Sequence, residues 1–203
     1  NVYLGGEGAE TEAMKRFRQE SRSAGRLRHP NIVTIFEAGR GEDGSPYIVM
    51  EFIEGKSLEE IIAERAPIAP QEALHYLSQA ASALDYAHSQ NVIHRDIKPR
   101  NVIVDAYSKP HLLDFGVAKL SDTSLTPAGT VVGTPSYMSP EQIKGEELKG
   151  SSDLFALAVL TFELFTGSRP FPGKDFTTVV NNIIHREPIS FQELGVNLPE
   201  QLE

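Results

Sequence analysis

His94-Arg95-Asp96-Ile97-Lys98-Pro99-Arg100-Asn101, followed thirteen residues after Asn101 by Asp114-Phe115-Gly116, is the stretch around which this chain is organised. A carboxylate (Asp96), a cation (Lys98) and an amide (Asn101) fall close together, and a second carboxylate (Asp114) returns after a short turn. Residues 101–104 and 110–113 read as two short strands, because β-branched and apolar residues flank the polar turn at 105–109. Asn101 and Asp114 then lie at opposite ends of one hairpin, where both can reach the same ligand. This set suits phosphoryl transfer, whose transition state spreads negative charge over three oxygens and asks mostly for positioning and electrostatics. In that chemistry Asp96 accepts the proton of an attacking hydroxyl and Lys98 neutralises charge on the moving group. Asn101 and Asp114 supply the hard oxygen ligands that Mg²⁺ prefers.

The bulk properties set the frame. A chain of 203 residues is long enough for one domain, or one domain with two lobes, and for a real core. With 19 basic and 28 acidic residues the formal net charge is −9, which argues against a nucleic-acid-binding face. ATP is not excluded by that balance, since its charge is met locally by metal and lysine. There is no cysteine, so neither a disulfide framework nor a thiolate metal site is available, and redox usage says nothing of compartment. The first residue is Asn and no signal peptide is visible, which reads as a fragment of a longer protein. The most apolar run, Leu154 to Phe165, contains Glu163 and is too short to span a bilayer; a buried helix is expected there.

Along the chain, residues 1–9 read as a strand end entering a glycine-rich turn. Helical periodicity over 10–28 puts Ala13, Phe17, Ala24 and Leu27 on one stripe with Glu20 in its middle, and Pro30 ends the helix. Ile32–Ala38 and Pro46–Ile53 read as β-strands joined by a Gly-rich hairpin loop. Ser57 with Glu60 three residues on has the form of a capping box. Gln71–His88 follows as an amphipathic helix whose buried side carries Leu74, Leu77, Ala80, Ala81, Leu84 and Ala87. Residues 117–141 form a long hydroxyl-rich loop, and such a loop inside a compact domain is usually functional. Asp153 opens an apolar helix over 153–166 that Gly167 stops, and Asp175–His185 is a last amphipathic helix.

The His-Arg-Asp, Lys and Asn of residues 94–101, together with Asp114-Phe115-Gly116, resemble the signature of the eukaryotic-type protein kinases. Gly133-Thr134-Pro135-Ser136-Tyr137-Met138-Ser139-Pro140-Glu141 resembles that family's Gly-Thr-x-x-Tyr-Met-x-Pro-Glu segment, and within the superfamily the chain is most similar to the bacterial serine/threonine kinases. The resemblance implies an α+β, two-lobe protein kinase-like fold. Residues 1–52 would be a partial N-lobe with helix C and the following strands. Residues 53–203 would be the C-lobe, with catalytic loop, activation segment and helices D to G, the whole being one incomplete kinase domain.

The same resemblance assigns further residues. Glu20 matches the helix C glutamate that pairs with a strand lysine; ungapped spacing puts that lysine at Asn1, and otherwise it precedes the chain, as the glycine-rich loop does. Backbone groups of Glu51 and Ile53 would bond the adenine edge, Met50 would line the back of the pocket and Ile103 would pack under the base. Thr134 would contact Asp96 and Lys98, and this signature points to serine and threonine rather than tyrosine substrates. Arg95 beside Asp96 implies control by a phosphate on the activation loop, with Thr126 the first expected site, then Thr130 and Ser124. His94, Phe115 and Gly116 would support the site, Asp153 would grip the catalytic-loop backbone, and Glu141 would pair with an arginine beyond residue 203.

The implied cofactors are ATP with Mg²⁺ or Mn²⁺. The implied partners are protein substrates and a second copy of the chain for autophosphorylation. The implied location is the cytoplasm, with any membrane anchor of the parent outside this chain. Serine/threonine kinase chemistry is the leading reading, with the chain as given expected to be weak or inactive. Two rivals stand beside it: a pseudokinase or docking module, if Asn1 holds the lysine position, and a small-molecule phosphotransferase, against which residues 133–141 speak.

Overall fold

The computed structural model describes residues 20–42, 45–115 and 135–195. Within the described residues helix α1 covers 20–24, and it ends at Gly25, earlier than the stop expected at Pro30. The cause is local. Gly25 donates to the Ser21 carbonyl at 2.8 Å, and Arg26 and Leu27 then bond the carbonyls of Ser23 and Ala24, three residues back, so the last turn tightens and closes. A Cβ at position 25 would press on the Ser21 carbonyl at 3.0 Å.

The first strand, β1 (Ile35–Arg40), pairs antiparallel with β2 (Pro46–Met50), placing Ile35 opposite Met50 and Ala38 opposite Ile48. β1 starts three residues later than the expected Ile32–Ala38, while β2 starts at Pro46 as expected and stops at Met50 rather than Ile53. Residues 31–33 are drawn instead to a second sheet, where Leu112 donates to the Asn31 carbonyl at 2.8 Å and accepts from Val33 at 3.0 Å. The buried Asn31 amide donates to the Pro110 carbonyl at 2.8 Å and to Gln79 Oε1 at 2.7 Å. One segment thus fastens the hairpin to the rest of the molecule.

That second sheet has the order β3 (Gly55–Ser57), β4 (Val102–Asp105), β5 (Pro110–Leu112), all antiparallel. β3 went unread in the sequence, three residues being too few to show alternation. Gly55 is required there, since a Cβ would lie 2.2 Å from the Val104 carbonyl oxygen. Helix α2 (Leu58–Arg65) follows directly, with the expected capping box: the Ser57 hydroxyl accepts from the Glu60 amide and the Glu60 carboxylate accepts from the Ser57 amide.

The C-terminal half is helical. Helix α3 (Pro70–Ser89) begins on a proline at its first position, where the missing N–H costs nothing. Its buried face carries Ala73, Tyr76, Leu77, Ala80, Ala83, Leu84 and Ala87, whereas Leu74, expected inside, is 41% exposed. The stripe is rotated because Tyr76 and the alanines 73 and 83 meet the core, the small side chains letting α3 approach its neighbour closely. Beyond the 3₁₀ turns Pro99–Asn101 and Pro135–Tyr137 come α4 (Pro140–Lys144), α5 (Gly150–Thr166) and α6 (Phe176–His185). Helix α5 starts before Asp153, which sits in its first turn, and Leu154 on its far side is exposed. Gly167, at φ 70°, stops α5 in the left-handed conformation that glycine adopts without strain. Asp175 caps α6 by accepting from the Thr178 amide at 2.8 Å.

The core lies where α3, α5 and the second sheet meet, with Leu58, Leu84, Val102, Leu112, Leu160 and Leu164 at most 1% exposed. Small antiparallel sheets before and beside a helical body make this an α+β fold, the class expected from the sequence. Among the described residues, no helix is long and apolar enough to cross a membrane.

Candidate active site

The site forms where the catalytic stretch crosses between α3 and β4. Asp96 is half-buried. Its Oδ2 accepts from Lys98 Nζ at 2.7 Å and from Asn101 Nδ2 at 2.9 Å. The same Asn101 amide nitrogen also donates to the Asp96 backbone carbonyl at 2.8 Å. Asn101 is thereby fixed at the end of its 3₁₀ turn. Its nitrogen is committed to Asp96, so its carbonyl oxygen is the end left to ligate a cation. The Leu113 amide donates to the Asn101 backbone carbonyl at 2.9 Å, which closes the β4–β5 hairpin one residue before Asp114. Asp114 is exposed and has φ 58°, a left-handed conformation that a short polar side chain tolerates better than most. The hairpin arrangement expected from the sequence is present.

Beneath this layer the backbone of the loop is anchored from α5. Asp153, 1% exposed, accepts from the His94 amide at 2.8 Å and from the Arg95 amide at 2.7 Å. His88 Nε2, on α3, donates to the same carboxylate at 2.7 Å. Three donors thus satisfy a buried charge that would otherwise be costly. Arg95 has φ 68°, unusual for a long side chain, and its carbonyl accepts from Gln142 Nε2 at 2.7 Å. Side chains from two other helices therefore hold this residue in place on both its N–H and its C=O. Gln142 is itself positioned by a second capping box, with Ser139 as N-cap of α4.

His94 is fully buried with its ring 4.4 Å from that of Phe115. Burial pushes its pKa down, against the pull of the Asp153 and Asp96 carboxylates, so the ring is neutral. Its Nδ1 then accepts from the Asp96 amide at 3.3 Å.

Other expected site residues fall as follows. Met50 lines a small cavity with Ala24, Ile48, Leu112, Phe115 and Asp114, which puts it behind the site. The Glu51 amide donates to the Thr34 carbonyl at 2.8 Å, so the backbone group it can offer a ligand is its carbonyl. Ile53 follows, half-buried, and Ile103 lies in β4 opposite Ser57 and His111. Glu20 bonds Arg95 Nη1, which is a different partner from the lysine that the sequence suggested. Glu141 accepts from the Ser152 hydroxyl at 2.5 Å, a contact that holds its carboxyl below the usual range. Gly116, Ser124, Thr126, Thr130 and Thr134 lie outside the described residues, as do residues 1–9.

Sequence reasoning missed His88, Gln142 and a trio in which Arg169 lies over the buried Tyr137 and Glu163. Gln142 carried a readable signal, the Ser139-x-x-Gln142 spacing. The contacts of His88 with Asp153 and of Tyr137 with Glu163 join residues far apart in the chain.

A family model for the protein kinase domain matches residues 5–201. The chain belongs to the protein kinase domain family. It is 40% identical over 195 residues to serine/threonine-protein kinase PrkC of Bacillus subtilis, covering 96% of this chain and 30% of that protein. A probable serine/threonine-protein kinase PknB of Lactococcus lactis is 40% identical over 192 residues, or 94% of this chain and 30% of the relative. Serine/threonine-protein kinase PknB of Mycobacterium leprae is 36% identical over 179 residues, covering 86% and 29% respectively. The chain therefore spans about 30% of the length of these curated relatives. Membership gives the fold its class, and ATP and Mg²⁺ are what this family generally uses.

Proposed function

We propose that the protein carrying this sequence is a serine/threonine protein kinase that transfers the γ-phosphoryl group of ATP to hydroxyls of protein substrates. The observation that carries this reading is the convergence of Lys98 Nζ and Asn101 Nδ2 on one oxygen of Asp96, beside the hairpin that delivers Asp114. Two donors orient the Asp96 carboxylate, which is the group to take the proton of an acceptor hydroxyl. Lys98 both orients that carboxylate and offers positive charge to the group in transit.

The donor set fits the metal of the family. An amide oxygen and a carboxylate are hard ligands, and Mg²⁺ is commonly held by one or two protein oxygens plus substrate phosphates and water. Asn101 and Asp114 would hold it, and bound Mg²⁺–ATP supplies the phosphoryl group with its charge offset. Backbone groups at Glu51 and Ile53, with Met50 and Ile103, would contact the adenine. Arg95 would answer to phosphorylation at Thr126, Thr130 or Ser124, placed there by a second copy of the chain. Residues 1–52 and 53–203 are proposed as the two lobes, and the cytoplasm as the compartment in which the domain works.

The test is a phosphotransfer assay on Ser, Thr and Tyr peptides with Asp96→Asn as control. Incorporation on Ser and Thr that the substitution removes is the expected result. Equal incorporation by the variant would remove Asp96 from the base role, and no incorporation by a protein that still binds peptide favours the docking-module reading.

A further inference from the structure

A groove runs alongside Lys98 and Pro99, bounded by Ile62 of α2 and by Tyr137 and Arg169. Inside it lies Glu163, a carboxylate on α5 that is 7% exposed. A buried carboxylate opening into a groove one side chain away from the proposed base would attract a cation on a bound peptide. Both its oxygens are already taken. The Tyr137 hydroxyl donates to Oε2, and Arg169 Nε lies 3.3 Å from Oε1. Arg169 is fixed further by its Nη1, 3.3 Å from Ser136 Oγ, and by its guanidinium lying 5.6 Å from the centre of the Tyr137 ring. The guanidinium has two protein partners and an aromatic face, while its own side chain remains 42% exposed at the groove.

The other acidic group of the groove is Glu59. It sits 3.5 Å from Arg100, and both side chains are more than half exposed, so that pair is weak. With Lys98 paired to Asp96, each charge lining the groove has an opposite partner, and the apolar surface of Ile62, Pro99 and Tyr137 is what remains to discriminate.

We infer that Arg169 is a specificity-determining residue: it occupies the Glu163 carboxylate as an internal cation, so that the groove accepts an aliphatic peptide side chain and gives no advantage to a basic one. The inference rests on the kinase reading above and names the substrate class of that site. Its chemistry is a competition for one carboxylate. A tethered guanidinium outcompetes a substrate's because its entropy of association is already lost. Where the tethered cation is removed, the buried carboxylate becomes a strong site for a substrate arginine or lysine.

The test measures peptide affinity by fluorescence anisotropy, independent of turnover. Serine peptides carry either leucine or arginine, moved one position at a time through the five residues on each side of the acceptor. The wild-type protein is expected to bind a leucine peptide at least as well as its arginine counterpart at every position. Arg169→Met, which keeps the aliphatic stem, is expected to gain about tenfold in preference for arginine at one position. Adding Glu163→Gln to Arg169→Met is expected to cancel that gain, and circular dichroism melts confirm that each variant is folded. Arg169→Lys serves as the conservative control and should retain the wild-type preference. A wild-type protein that already favours arginine in the groove overturns the inference. So does an Arg169→Met variant that is folded and gains nothing. Binding of no peptide by the wild type overturns the substrate-groove reading itself, and the inference with it.

Discussion

Arg95 donates through Nη1 to the carboxylate of Glu20, joining α1 to the catalytic loop across 75 positions of sequence. Both side chains are partly exposed, 38% for Arg95 and 25% for Glu20, so the pair is neither a surface ornament nor a buried charge. Replacing Glu20 by Gln keeps the shape and removes the charge. The expected loss is about 1.5 kcal/mol of folding stability, the lower end for a hydrogen bond to a charged group. Urea denaturation of the two proteins measures it, and an unchanged midpoint would show the pair to be energetically idle.

Asp153 tells a stronger story, because it is buried and holds two backbone amides. Asp153→Ala leaves the N–H groups of His94 and Arg95 without their acceptor and His88 without its partner. Each orphaned buried donor costs about 1–3 kcal/mol, so a total near 3 kcal/mol is expected. Asp153→Asn retains one carbonyl acceptor and should cost less. Comparing the two denaturation midpoints against the wild type decides the matter.

The chemistry of Asp96 is separable from stability. Asp96→Asn preserves volume and removes the proton acceptor, and the phosphotransfer rate is expected to fall about 10²–10⁴-fold, the range for losing a general base. The thermal midpoint should move by no more than a few degrees. A variant that kept its rate would remove Asp96 from the base role.

Glu72 gives a pH signature. Its carboxylate meets Arg65 Nη2 at 2.5 Å and also accepts from the Tyr76 hydroxyl, and with Arg65 the larger cause these hold its pKa down, from the ordinary 4.5 to about 2. A group depressed on folding stabilises the native state above its unfolded pKa, and loses that contribution as pH falls through the folded value. The stability difference between wild type and Glu72→Gln should therefore be constant above pH 4.5 and shrink as pH falls toward 2. Urea melts at neutral pH, pH 4 and pH 3 would reveal it; a gap independent of pH would mean that Glu72 is not depressed.

Leu84 tests the core itself. It is 0% exposed on α3. Leu84→Ala should cost about 2–5 kcal/mol through lost transfer energy and the cavity left behind. A denaturant midpoint within error of the wild type would contradict the packing described.

Much of this was legible before any coordinates. The β4–β5 hairpin could be read because a polar turn between two apolar runs is a local signal, and it fixed the neighbourhood of Asn101 and Asp114. The Ser57 capping box and the stop at Gly167 were equally local. The rotation of the α3 stripe was not, since Leu74 and Ala73 differ by one position and only the neighbouring elements decide which of them is covered. The displacement of β1 came from Leu112 capturing the backbone of residues 31–33, and a strand pattern cannot announce its own competitor.

The sequence by itself determined the family, the catalytic hairpin and most helix ends, because turn chemistry, capping and periodicity act over a few residues. Only the tertiary structure decided that Glu20 meets Arg95, that Asp153 and Gln142 together hold Arg95 at positive φ, and that Arg169 covers Glu163. The first two are contacts between groups brought close by the packing of separate elements, and the last forms where the chain turns back at Gly167. Their energies depend on burial and on ångström-scale geometry, and neither is written in the spacing of the chain.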